Sequence, residues 1–62
     1  MNVIRKCREK ANMSQESLAK KLNIDRSTIS KWETCNVVPR VETLIELANL
    51  FGCTIDELIR GN

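Results

Sequence analysis

The sequence predicts an all-α domain of five short helices, and three observations carry that reading. Apolar residues recur at three- and four-residue spacing through most of the chain, as one face of a helix requires, instead of alternating as in a half-buried strand. Residues that start helices (Ser14, Asp25 and Thr54) stand just before three of the periodic segments. Residues that end helices (Asn12, Asn23 and Gly52) stand just after three of them. The 62 residues hold one domain, spanning 1–62, with a small core. A chain of about 60 residues buries only about 60% of its unfolded surface, so marginal stability is expected.

Helix 1 is expected over residues 2–11. Val3 or Ile4, with Cys7 and Ala11, forms its buried face, and Arg5, Lys6, Glu9 and Lys10 point away. Asn12 can end it. Met13, apolar and just ahead of Ser14, can pack back on Leu18 as a hydrophobic staple. Helix 2 follows over 15–22. Ser14 can accept from the free N–H groups of its first turn, and Leu18, Ala19 and Leu22 share one face. Asn23 tolerates the left-handed conformation that stops a helix, and Asp25 is the expected N-cap of helix 3, over 26–34.

Helix 3 carries an apolar stripe of Ile29 and Trp32, the latter read as core, with Leu18, Leu22 and Leu47 as its expected partners. Its opposite side holds Arg26, Ser27, Ser30 and Lys31, all hydrogen-bonding or cationic groups. In the loop that follows, Asn36 can supply a left-handed residue and Pro39 fixes the entry to helix 4. Helix 4, over 41–51, has more apolar residues than one face can hide, so Ile45 or Leu50 is expected at the surface. Gly52 follows as a C-cap. Thr54-Ile55-Asp56-Glu57 is a capping box that opens helix 5, over 55–60. Six residues cannot hold a helix alone, so packing must.

Composition narrows the function. There is no His or Tyr and no nucleophile–base pair in sight, and a chain this short leaves no room for a deep, water-excluded pocket. An enzyme is therefore not expected. No apolar run approaches the roughly 18 residues of a membrane span, and no secretory-type apolar stretch stands at the N-terminus, so the expected location is cytoplasmic. The three cysteines are an odd number without a C-x-x-C pair, which argues against a disulfide scaffold or a metal site; no cofactor is implied. Cys7 and Cys53 read as small buried hydrophobes, and Cys35 as a loop thiol with nothing nearby to activate it for redox sensing. The net charge of +2 is unevenly placed: residues 1–40 sum to +5 and residues 41–62 to −3. That polarity suits one face turned to a polyanion, although an ordinary solvated surface accounts for it equally.

A short helix with an apolar back and a donor-rich front suits the major groove of DNA, which admits one helix and displays base-edge acceptors. Residues 14–34 resemble the helix-turn-helix of the lambda repressor and Cro family, the XRE-type regulators. The resemblance rests on Ser14-Gln15, Leu18-Ala19, Leu22, Ile24, Ser27-Thr28-Ile29-Ser30 and Trp32-Glu33. Downstream it continues through Pro39, Leu44, Leu47-Ala48, Gly52 and Asp56-Glu57-Leu58, so that it covers roughly residues 3–60. It implies a compact five-helix, lambda-repressor-like DNA-binding domain. Arg26, Ser27 and Lys31 match the positions from which the family reads base edges, and Ser30 lies beside them. Thr28 is expected to face phosphate or the preceding helix. Gln15 matches a residue that holds a DNA phosphate with the help of the helix N-terminus. Lys20, Thr34, Asn36 and Arg40 are further phosphate candidates. Asp25 is read as a cap first and as an acceptor for a cytosine amino group second. Arg8 and Glu33 match a family ion pair that pins helix 1 to the end of helix 3; otherwise they are two surface charges of little consequence. The chain departs from the family at Cys35-Asn36, where a Gly is common.

The resulting expectation is a sequence-specific double-stranded DNA-binding transcriptional regulator, a repressor. A half-site is short and a small monomer makes few contacts, so a homodimer on a pseudo-palindromic operator is expected, with half-sites roughly 34 Å apart. Val37, Leu58 and Ile59 are the candidate dimer contacts. The family also contains antitoxins, so a toxin or another protein is a further candidate partner. The alternative is a protein-interaction module that keeps the fold without DNA duty; it would not need donors at Gln15, Arg26, Lys31 and Arg40.

Overall fold

A computed structural model describes residues 2–35 and 37–60, and in it the local punctuation of the sequence is what bounds the helices. They are α1 (Asn2–Lys10), α2 (Gln15–Leu22), α3 (Arg26–Thr34), α4 (Val41–Phe51) and α5 (Ile55–Arg60), with no strand among the described residues. Ahead of α2, the Ser14 hydroxyl accepts from the Ser17 amide at 3.0 Å. Behind it, Asn23 turns left-handed at φ 57° and the Ile24 amide reaches back to the Ala19 carbonyl. Asn12 does the same work after α1 at φ 58°. Gly52 closes α4 at φ 69°, and the Cys53 amide donates to the Ala48 carbonyl at 3.0 Å. The capping box of α5 is reciprocal: the Glu57 amide donates to Thr54 Oγ1 at 3.1 Å, and the Thr54 amide donates to Glu57 Oε1 at 3.3 Å. Asn36 lies outside the described residues.

Asp25 is a correction. Its backbone has the extended conformation of an N-cap, but its side chain makes no capping bond. The Thr28 amide donates to the Asp25 backbone carbonyl at 3.1 Å.

Each helix sends one fully hidden aliphatic side chain into the centre: Ile4, Leu18, Ile29, Leu47 and Leu58. Trp32 is buried among them, with Leu22 packed against the same core. Val3 and Ile4 are both buried, and Ile45 and Leu50 both reach the surface. α2 and α3 pack on each other, α1 packs on α3, and α4 packs on α5. Leu58 is a second correction: it is not available for a dimer contact, because it is the side chain that anchors the short α5 to the core. Ile59, the next residue, points the other way and is 59% exposed. No helix among the described residues is long and apolar enough to cross a membrane.

Candidate nucleic-acid interface

The 3.6-residue period of α3 divides its side chains into two sets. Ile29, Trp32 and Glu33 are buried, whereas Arg26, Ser27 and Lys31 are exposed and Thr28 and Ser30 lie half-buried between them. The long cationic side chains therefore stand on the side away from the core. Lys20 on α2 and Arg40 are exposed as well. Arg40 occupies the N-cap position of α4 in extended conformation; its guanidinium has donors only and cannot cap the amides of that helix's first turn. Thr34, at the end of α3, is exposed; its hydroxyl donates to the Ser30 carbonyl at 2.7 Å.

Behind this surface lies a buried polar cluster that fixes how the helices meet. Arg8 Nε donates to Glu33 Oε2 at 2.8 Å and Arg8 Nη2 donates to Glu33 Oε1 at 3.2 Å, a two-pronged contact between α1 and the last turn of α3. The two side chains are only 11% and 2% exposed. Arg8 Nη1 also donates to the Met13 carbonyl at 2.8 Å. Gln15 Nε2 donates to Glu33 Oε1 at 3.0 Å, which brings the start of α2 against the end of α3. No buried side-chain nitrogen or oxygen among the described residues is left without a partner.

The electrostatics follow from that geometry. Burial pushes the Glu33 carboxyl up, but the hydrogen bonds from Arg8 and Gln15, with the Arg8 charge, outweigh it and hold the group below its ordinary 4.5. The hydrogen bond to Glu33 holds the Arg8 guanidinium above its ordinary value. An acid that sits on the helix of the cationic front is thus turned inward and neutralised, which removes a charge that would repel phosphate.

Sequence reasoning missed two partners in this cluster, the Met13 carbonyl and the Gln15 amide. The resemblance gives Gln15 a phosphate; an amide carries two N–H donors, so the bond to Glu33 leaves one for a further acceptor. Nothing in the spacing of Gln15 and Glu33 announces their contact. Among the described residues no three of His, Cys, Asp or Glu gather as a metal ion would require.

Comparison with known proteins gives a consistent picture. The family described as helix-turn-helix matches residues 4–58. The HTH-type transcriptional activator BcrR of Enterococcus faecalis is 44% identical over 50 residues, which is 81% of this chain and 24% of that protein. The HTH-type transcriptional regulator YqaE of Bacillus subtilis is 31% identical over 94% of this chain and 50% of its own length. Repressor protein C2 of Salmonella phage P22 is 32% identical over 95% of this chain and 27% of its own length. The chain thus spans half or less of each of these three relatives. No solved structure gives a significant match.

Proposed function

This chain belongs to the helix-turn-helix family of DNA-binding regulators, and from that premise we propose that it is a sequence-specific reader of double-stranded DNA that acts as a transcriptional repressor. The observation that carries the proposal is the division of α3: Arg26, Ser27 and Lys31 project outward while Ile29, Trp32 and Glu33 are buried. In this reading α3 enters the major groove. Arg26 and Lys31 take guanine acceptors, with Ser27 and Ser30 as short secondary donors. Gln15 (through its remaining N–H), Lys20, Thr28, Thr34 and Arg40 hold the backbone phosphates and set the register without reading sequence. A homodimer on a pseudo-palindromic site doubles the contact, and the exposed apolar Val37, Val38 and Ile59 are the groups offered for association.

Selection from a random DNA pool tests the first part. A single enriched motif with an inverted repeat is the expected result; recovery of no motif would overturn sequence-specific recognition. Occupying an operator that overlaps a promoter is sufficient to repress. Activation is the second reading, favoured by the 44% identity to a protein named as an activator. A reporter driven from the selected site separates the two by the sign of its response.

A further inference from the structure

We infer that Cys7 and Cys53 form a redox-active dithiol that closes to an intramolecular disulfide joining α1 to the α4–α5 turn. The two residues come from opposite ends of the chain, yet they line one cleft of about 420 Å³ and a neighbouring one of about 350 Å³. Both are half-buried and both are free thiols. Cys53 is held in place by its amide bond to the Ala48 carbonyl, one residue beyond the left-handed Gly52. Burial, and after it the neighbouring Cys7, push the Cys53 thiol up, which places Cys7 close to Cys53.

The cleft's rim selects the oxidant. Lys6, Lys10, Arg60 and Glu57 line the larger cleft; Arg60 is paired with Asp56 at 3.1 Å, so Lys6 and Lys10 supply most of the rim's positive charge. Such a rim draws an anionic low-molecular-weight disulfide, of which oxidised glutathione is a usable probe. One protein thiolate attacks a sulfur of the probe, the probe's S–S bond breaks, and one glutathione thiolate leaves. The second protein thiolate then attacks the protein sulfur of the mixed disulfide and expels the other glutathione thiolate. The two thiol protons end on the two glutathione molecules. The protein has lost two electrons and the probe has gained them.

The test uses the full chain carrying Cys35→Ser, which removes the exposed third thiol. Folded protein is treated with oxidised glutathione and digested. The expected result is a peptide pair linked through Cys7 and Cys53, an intact mass reduced by two hydrogens, and a Tm raised by about 5 °C or more, all reversed by dithiothreitol. In the same background Cys53→Ser should carry one glutathione at most and show no rise in Tm. The inference is overturned if Cys7 and Cys53 stay separately alkylatable, if each keeps its own glutathione, or if the link forms only in urea.

Discussion

Replacing Arg8 with Ala should weaken the loss of stability that acid causes in the native chain. In the native chain the folded Glu33 carboxyl lies below its ordinary 4.5. Its stabilising contribution is complete above about that pH and is lost as pH falls through the lower folded value. Arg8→Ala removes both lowering influences of Arg8, the hydrogen bond and the charge, and leaves burial opposed by the Gln15 hydrogen bond and the Arg5 charge. The folded carboxyl should then rise from its native position. The proton uptake that accompanies unfolding should shrink, so stability should fall less steeply as pH drops below 4.5.

The size of the effect follows from burial. Removing one partner of a buried pair costs about 3–5 kcal/mol, and a chain of this length holds only roughly 3–9 kcal/mol in total. At pH 7 the variant should therefore be at the margin of folding. Glu33→Gln should cost less, because Arg8 keeps the Met13 carbonyl and the new amide keeps an oxygen acceptor, and its stability should be flat across the same window. Urea titrations followed by Trp32 fluorescence measure all of this, since the indole is 5% exposed and reports unfolding directly. Coupling in the cycle of Arg8→Ala and Glu33→Gln should exceed about 1 kcal/mol. The reasoning is refuted if Arg8→Ala loses stability with acid in parallel with the native chain, or if the two losses add to within about 0.5 kcal/mol.

Four further outcomes follow from the same structure. Ser14→Ala should cost about 1 kcal/mol because it deletes an observed cap bond, whereas Asp25→Ala, which deletes none, should stay within about 0.5 kcal/mol; thermal melts of the pair make the comparison. Gly52→Ala should cost about 1–2 kcal/mol, the charge for a left-handed L-residue alone, because no atom lies within 4 Å of the added Cβ; a larger loss in urea titration would mean a clash the geometry does not contain. Lys31→Ala should cost about 1–3 kcal/mol of DNA binding and relax preference at particular bases, while Arg40→Ala should weaken all sequences alike and lower the salt slope by about one; titrations of selected and scrambled duplexes at several salt concentrations distinguish them. Ile59→Lys should abolish self-association, read by sedimentation, while leaving Tm nearly unchanged, since that side chain is 59% exposed in the single chain.

Much of the fold was legible because helix ends are decided over three or four residues. Ser14, Asn23, Gly52 and the Thr54–Glu57 box act on amides and carbonyls of their own turn, so both bounds of α2, the end of α4 and the start of α5 could be read without any knowledge of the neighbours. The outward set on α3 was legible for a similar reason: once Ile29 and Trp32 are inside, the helical period puts Arg26, Ser27 and Lys31 outside. Asp25 shows where local reasoning stops. A cap residue's identity suggests a bond, but whether the side chain or the backbone carbonyl serves the amide depends on the turn it closes.

Sequence by itself determined the five helices, most of their limits and the outward set of α3, because these depend on side chains acting within one turn of backbone; α1 stops at Lys10, one residue short of the expected end, and leaves Ala11 exposed. Tertiary structure alone decided that Leu58 and not Ile59 is inside, since the rotation of a six-residue helix is set by what it packs against. It also decided that Gln15 meets Glu33 and that Cys7 shares its clefts with Cys53. Those partners are brought together by the angles at which helices cross, and no spacing along the chain encodes a crossing angle.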